Sequence, residues 1–328
     1  MTAGEIQSDA ADAGAPAARG TVSSFGDRLA EQVVRRQSQI VLGLDPDPAL
    51  LWPHALELVG GADDESAPPA VRAARAVAIH CGLVLAAVAE HCVAVKLQLA
   101  CFERLGAPGW RALTEVIQSA RAAGLLVIAD AKRGDIDVSA RAYAQGFLGT
   151  TPSPFGAIPG LGVDAMTVSP WLGSDSLTPF IDVARESGRG LFVLVRNSNP
   201  GAVELQEQLV ADGSLSELVA RMVSTLGAAG VGQHGLADVG AVVGATAPER
   251  LSRLRELMPT TVFLLPGIGA QGGRVDDLAP VFTAGVAGGI ITVSRGIVHA
   301  HRMTGGDPGV AAGREAARLR EQAWRLAA

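Results

Sequence analysis

The sequence predicts an α/β chain folded as one (β/α)8 TIM barrel with insertions in its crossover loops. Three observations predict it. Eight short apolar runs, rich in β-branched residues, alternate with longer amphipathic segments, as in a parallel sheet buried on both faces. The 328 residues, 48% hydrophobic, suit one large barrel domain, with a doubly wound open sheet as the main competitor. The residues able to do chemistry gather at the carboxyl ends of the runs, the face on which barrels build their sites.

Residues 1–20 are rich in Ala, Gly, Asp and Pro without apolar periodicity and predict a disordered leader, leaving 21–328 as a single barrel domain. Run one, QIVLGLD, ends in Asp45, and run two, VAVKLQ, in Lys96 and Gln98. A helical pattern follows over 108–124, opened by Pro and closed by Gly. Run three, LLVIAD, leads into IADAKRGDI (128–136), and run four, AMTVSP, ends in Ser169-Pro170. Run five, LFVLVRN, ends in Arg196-Asn197. After run six, GAVVGAT, a second helical pattern covers 247–257. Run seven, TVFLLPG, enters PGIGAQGG (266–273), and run eight, GIITVSRG, ends in Ser294-Arg295-Gly296. The stretches 51–68 and 200–236 exceed a minimal crossover and read as insertions carrying extra helix and mobile loop.

A net charge of −6 argues against nucleic acid or an anionic membrane as partner. The three cysteines lack CxxC spacing, so they predict neither a zinc site nor a disulfide framework and suit a reducing cytosol. No continuous apolar run reaches the ~18 residues of a membrane span, and the N-terminus lacks a signal layout. A soluble cytoplasmic protein is expected. None of the six histidines stands with carboxylates at ligand spacing, so no metal is expected.

The chain has 27 basic residues, yet only Lys96 and Lys132 are lysines. Both stand at strand ends. A guanidinium stays protonated under all relevant conditions, whereas an ammonium can give up its proton. A lysine at a barrel mouth is therefore a candidate proton donor, Schiff-base former or compact counter-ion. In D-A-K, extended-chain alternation puts Asp130 and Lys132 on one side, and Gly134 lets Asp135 turn toward them. A lone DxK reads more simply as a solvated turn with an ion pair worth ~0–1 kcal/mol; Lys96 tips the balance toward function. Residues 267–272 spell G-x-G-x-x-G, but after the seventh run, where the dinucleotide reading is weak. Barrels bind phosphate after strands seven and eight, and Arg295 supplies a bidentate cation there. A phosphorylated small molecule is the expected ligand.

The order Asp45, Lys96, D-x-K-x-x-D (130–135), Ser-Pro after run four, PGIGAQGG and SRG resembles the orotidine 5′-phosphate decarboxylase family, over about residues 24 to 300. GLDP, KLQ, DAKRGDI and SPWLG are similar to its bacterial type 2 branch. The resemblance implies conversion of orotidine 5′-phosphate to uridine 5′-phosphate and CO2, the last step of de novo pyrimidine synthesis, in a homodimer with shared active sites and with no metal or organic cofactor. It implies a catalytic array of Lys96, Asp130, Lys132 and Asp135. Lys132 is the cation and proton donor, Asp130 lies near the substrate carboxylate, and Lys96 and Asp135 hold the array, Asp135 reaching the neighbouring subunit's site. Asp45 joins them on the ribose; Gln271 and Arg295 grip the phosphate. Ile136, Ser139 (where many members carry Thr), Ser169, Pro266 and Gly296 complete the implied substrate contacts. A metal-dependent sugar-phosphate lyase or synthase, or a non-catalytic phosphate-binding barrel, are the rival readings.

Overall fold

A computed structural model describes residues 23–59, 66–269 and 271–328. The leader, and residues 60–65 of the first insertion, lie outside them. All eight apolar runs become strands: β1 Ile40–Leu44, β2 Ala94–Gln98, β3 Leu126–Arg133, β4 Ala165–Val168, β5 Gly190–Arg196, β6 Val239–Val243, β7 Phe263–Leu265 and β8 Gly289–Val293. Each pairs in parallel with its sequence neighbours, and β8 closes onto β1 through Ile40–Leu42 against Ile291–Val293. The barrel is closed.

Helix α1 (Phe25–Arg36) precedes β1, and the crossovers carry α2 (Pro69–Val88), α3 (Ala107–Ala122), α4 (Asp137–Phe147), α5 (Ser174–Glu186), α6 (Leu215–Gly227) and α7 (Pro248–Leu257). A 3-10 run, Val275–Ala284, links β7 to β8, and α8 (Pro308–Ala327) follows β8. Both helical patterns read in the sequence become helices, α3 and α7, each with Pro in its first turn, where its fixed φ and missing N–H cost nothing. Asp307 caps α8 by accepting the Val310 amide.

Strand alternation sorts the side chains into two cores. Val41, Ala94, Ile128, Ala165, Phe192, Val242, Leu264 and Ile290, one from each strand, form an inner layer together with Phe25, Leu29 and Val33 of α1. The Phe25 and Phe192 rings meet edge to face at 5.7 Å, so α1 plugs one end of the barrel. Residues of the other parity, such as Leu42, Val95, Leu97 and Val127, pack outward under the helices. With its lower layer filled and its base plugged, the barrel is open only where strands β1–β8 end.

Helix α2 departs from expectation. The segment Pro69–His91 is long and apolar enough to cross a bilayer by length and composition, although charges interrupt it. Ala74, Val77, Cys81, Val84 and Val88 bury one face in the outer core, as a crossover helix requires. The insertions carry the extra helix that the sequence predicts. The first contains the helix Pro53–Glu57; the second contains the helix Ala202–Leu205 and a hairpin of Leu209–Val210 with Gly213–Ser214, ahead of α6. A further hairpin, Thr150–Thr151 with Ile158–Pro159, lies between α4 and β4.

Candidate active site

Inward parity continues one layer above the apolar floor, from Ala94 to Lys96 and Gln98, from Ile128 to Asp130, from Ala165 to Thr167, and from Ile290 to Thr292. Register sets Gly43 beside Lys96 and Gln98 beside Asp130. Gly43 has a steric reason: a Cβ there would stand 1.9 Å from the Ser294 hydroxyl.

Asp130 is the hub. Its Oδ2 accepts from Lys96 Nζ at 2.7 Å and Gln98 Nε2 at 3.1 Å. Its Oδ1 accepts from Lys132 Nζ at 2.6 Å and the Thr167 hydroxyl at 3.0 Å. Burial alone would raise the carboxyl's pKa; the two ammonium groups outweigh it and hold the pKa at about 2. Burial likewise works against a charged Lys96, and Asp130, with Asp45 at 3.9 Å, reverses the effect and raises its pKa. Two ammonium groups and two carboxylates thus balance. The lysines differ in access: Lys96 is 6% exposed, whereas the Lys132 side chain is 45% exposed at the cavity. Lys132 is the more open of the two to a ligand.

The backbone at Lys132 is irregular. Between Ala129 and Arg133 the β3–β4 register slips, and Lys132 takes a left-handed φ of +48°. That region costs a non-glycine residue roughly 1–2 kcal/mol, and strain of this kind gathers at functional sites.

A cavity of about 280 Å³ opens over this hub. It is lined by Asp45, Lys96, Asp130, Lys132, Pro266, Gln271, Arg295 and Gly296, eight of the twelve residues singled out in the sequence. Arg295 is exposed and its guanidinium makes no hydrogen bond or ion pair among the described residues, which leaves its fork available to an anion. Gly267, at φ +107°, brings the β7 loop up to Gln271 and Ser198. The other four residues lie outside the lining. Asp135 accepts the Ile136 amide at 2.8 Å; Ile136 and Ser139 are exposed at the start of α4; Ser169 lies under Gly134, its amide donating to the Arg133 carbonyl.

The sequence pattern assigned no role to several lining residues: Gln98, Thr167, Asn197, Ser198, Asn199 and Thr292. The Thr292 hydroxyl is buried without a partner among the described residues. Counting every second residue back from each run's polar end would have found both threonines. Asn197–Asn199 are held from the second insertion, where Gln206 Oε1 accepts the Asn197 amide at 2.8 Å and Glu207 pairs with Arg196 at 3.1 Å. Among the described residues, no cluster of His, Cys, Asp and Glu forms a metal-holding group.

The sequence model of the orotidine 5′-phosphate decarboxylase / HUMPS family matches residues 40–304. A Rhodopirellula baltica protein named orotidine 5′-phosphate decarboxylase is 42% identical over 282 residues, covering 85% of this chain and 89% of its own. One of that name from Deinococcus radiodurans is 40% identical over 301 residues, covering 90% and 94%. The structure of Leishmania donovani OMP decarboxylase superposes with a TM-score of 0.66 at 33% identity, covering 92% of this chain and 99% of that one.

Proposed function

The chain belongs to the orotidine 5′-phosphate decarboxylase / HUMPS family, and we propose that its cavity converts orotidine 5′-phosphate to uridine 5′-phosphate and CO2. It is a carboxy-lyase, acting at the last step of de novo pyrimidine synthesis. The observation that carries the reading of the site is Asp130, ionised and clamped between the chain's only two lysines at 2.7 and 2.6 Å.

Loss of CO2 leaves an electron pair on C6 that the ring π-system does not delocalise directly. The site must stabilise that charge and then protonate it. Lys132 does both, as the nearest cation and as the donor of the proton that ends on C6. Asp130 faces the substrate carboxylate, and two carboxylates roughly 4 Å apart repel by about 4 kcal/mol at an effective dielectric of about 20. That repulsion is relieved as CO2 leaves. Lys96 keeps Asp130 charged and, with Asp45, meets the ribose hydroxyls. Arg295, Gln271, Gly296 and Pro266 take the phosphate end, whose binding energy helps hold the reacting end in place.

Of the four remaining residues, Asp135 is read as serving a second copy of the chain, with Ile136 and Ser139 beside it in sequence. Asp135, Ile136 and Ser139 lie where β3 leads into α4, and Val138 (82% exposed) in the same segment, like Phe155 (98% exposed), Trp171 and Leu172 elsewhere, exposes an apolar side chain. A homodimer that buries this segment carries Asp135 into the partner's cavity.

The test is the fall in ultraviolet absorbance on adding orotidine 5′-phosphate with a chelator present. A metal-independent fall is expected. No change would reject the decarboxylase reading, and loss with chelator restored by a divalent cation would favour a metal-dependent sugar-phosphate chemistry.

A further inference from the structure

Thr167 stands where two demands of the site meet. By alternation on β4 its side chain points inward above Ala165, while Met166 and Val168 pack in the outer core. It is 1% exposed, and its hydroxyl makes two contacts. It accepts the Lys132 backbone N–H at 2.9 Å and donates to Asp130 Oδ1 at 3.0 Å. Both directions are fixed by the partners, because an amide N–H only donates and an ionised carboxylate only accepts.

The amide contact has a structural origin. Ile128 and Ala129 of β3 pair with Ala165 and Met166, the register then slips, and pairing resumes at Arg133 with Val168. Within the slip, Lys132 turns to φ +48° and its N–H leaves the ladder. The Thr167 hydroxyl takes the place of the missing ladder carbonyl. The same oxygen bridges to the carboxylate that receives the Lys132 ammonium, so one hydroxyl ties both ends of Lys132, backbone and ammonium partner, to β4.

We propose that Thr167 is a positioning residue that holds the β3 slip and thereby aims the Lys132 ammonium at the reacting carbon. It acts through Lys132 and Asp130 and takes no proton itself. A serine serves the same purpose, whereas valine, of nearly the same shape, leaves the Lys132 N–H without a partner and removes one of the four donors on Asp130.

The inference rests on Lys132 as proton donor, so Thr167→Val, Thr167→Ser and Lys132→Ala are assayed side by side on orotidine 5′-phosphate. For Thr167→Val, kcat falls about 10- to 100-fold, as loss of a hydrogen bond to a charged group implies, while KM changes less than about threefold because the phosphate contacts are intact. Thr167→Ser restores kcat to within about threefold of the starting enzyme, since only a methyl group is lost. Wild-type turnover by Thr167→Val would overturn the proposal, as would equal losses of kcat and thermal midpoint in the valine and serine variants, which would make Thr167 a packing residue. Should the valine variant fail to fold, Thr167→Ala takes its place in the comparison: a kcat loss that serine restores supports the proposal, and native turnover overturns it. Full activity in Lys132→Ala would instead remove the premise about the proton donor.

Discussion

Lys132 combines three features: a left-handed backbone, a buried carboxylate partner and a side chain open to solvent. An arginine keeps the charge but surrenders no proton and needs more room. Lys132→Arg is therefore expected to lose kcat by about a hundredfold or more, the scale of general-acid contributions, with an unchanged thermal unfolding midpoint. Near-native turnover would refute the donor role. Asp130 makes a separate prediction. Its pKa is lowered in the folded state from 3.8 to about 2, so its stabilisation is complete above about pH 4 and is lost as pH falls toward about 2. Urea midpoints followed across that window should fall more steeply for the native protein than for Asp130→Asn; equal slopes would mean that the carboxylate is not held by its lysines. The lysines were legible in the sequence because their rarity marked them. Thr167's inward place could be counted back from Ser169, but its role was not legible, because a threonine in a strand is also what β-propensity favours, and only the register slip shows what its hydroxyl does.

At the scale of elements, the second insertion braces the site. Arg196 and Glu207 are nearly buried, and Arg250 makes a second ion pair to Glu207 at 2.6 Å. Together with Gln206 on the Asn197 amide and Thr246 on the Ser198 carbonyl, they fix the segment that forms one wall of the cavity. Glu207→Gln leaves Arg196 incompletely compensated, at a cost of up to about 3 kcal/mol. Faster amide hydrogen exchange is expected across 197–206, with the β1 and β8 strands unchanged. Unaltered protection there would show that the insertion only covers the barrel. The eight strands were legible as apolar runs because parallel strands are buried on both faces. Extra helix in the insertions was expected, but the hairpin of Leu209–Val210 with Gly213–Ser214 was not legible, since two-residue strands are too short for any hydrophobic period.

For the whole molecule, a barrel with a filled floor and a plugged base leaves one face for chemistry, and the sequence located that face through its polar strand ends. That Asp135 serves the neighbouring barrel was implied by the family resemblance alone, since strand patterning says nothing about a second subunit. Asp135 stands two residues beyond the last residue of β3, outside the lining of its own cavity, three residues before the exposed Val138. In the proposed symmetric dimer each site is composite: Lys96, Asp130 and Lys132 from one subunit, Asp135 from the other. The central claim is that this composite charge array decarboxylates orotidine 5′-phosphate, and mixed dimers test it directly. Lys132→Ala and Asp135→Ala homodimers should each be nearly inactive. When equal amounts are unfolded and refolded together, about half of the dimers are hybrids by random pairing. In each hybrid one site carries both defects and the other neither, so about a quarter of the native decarboxylation rate should return. Activity that stays at the level of the separate variants, while hybrids are seen to form, would contradict the composite site.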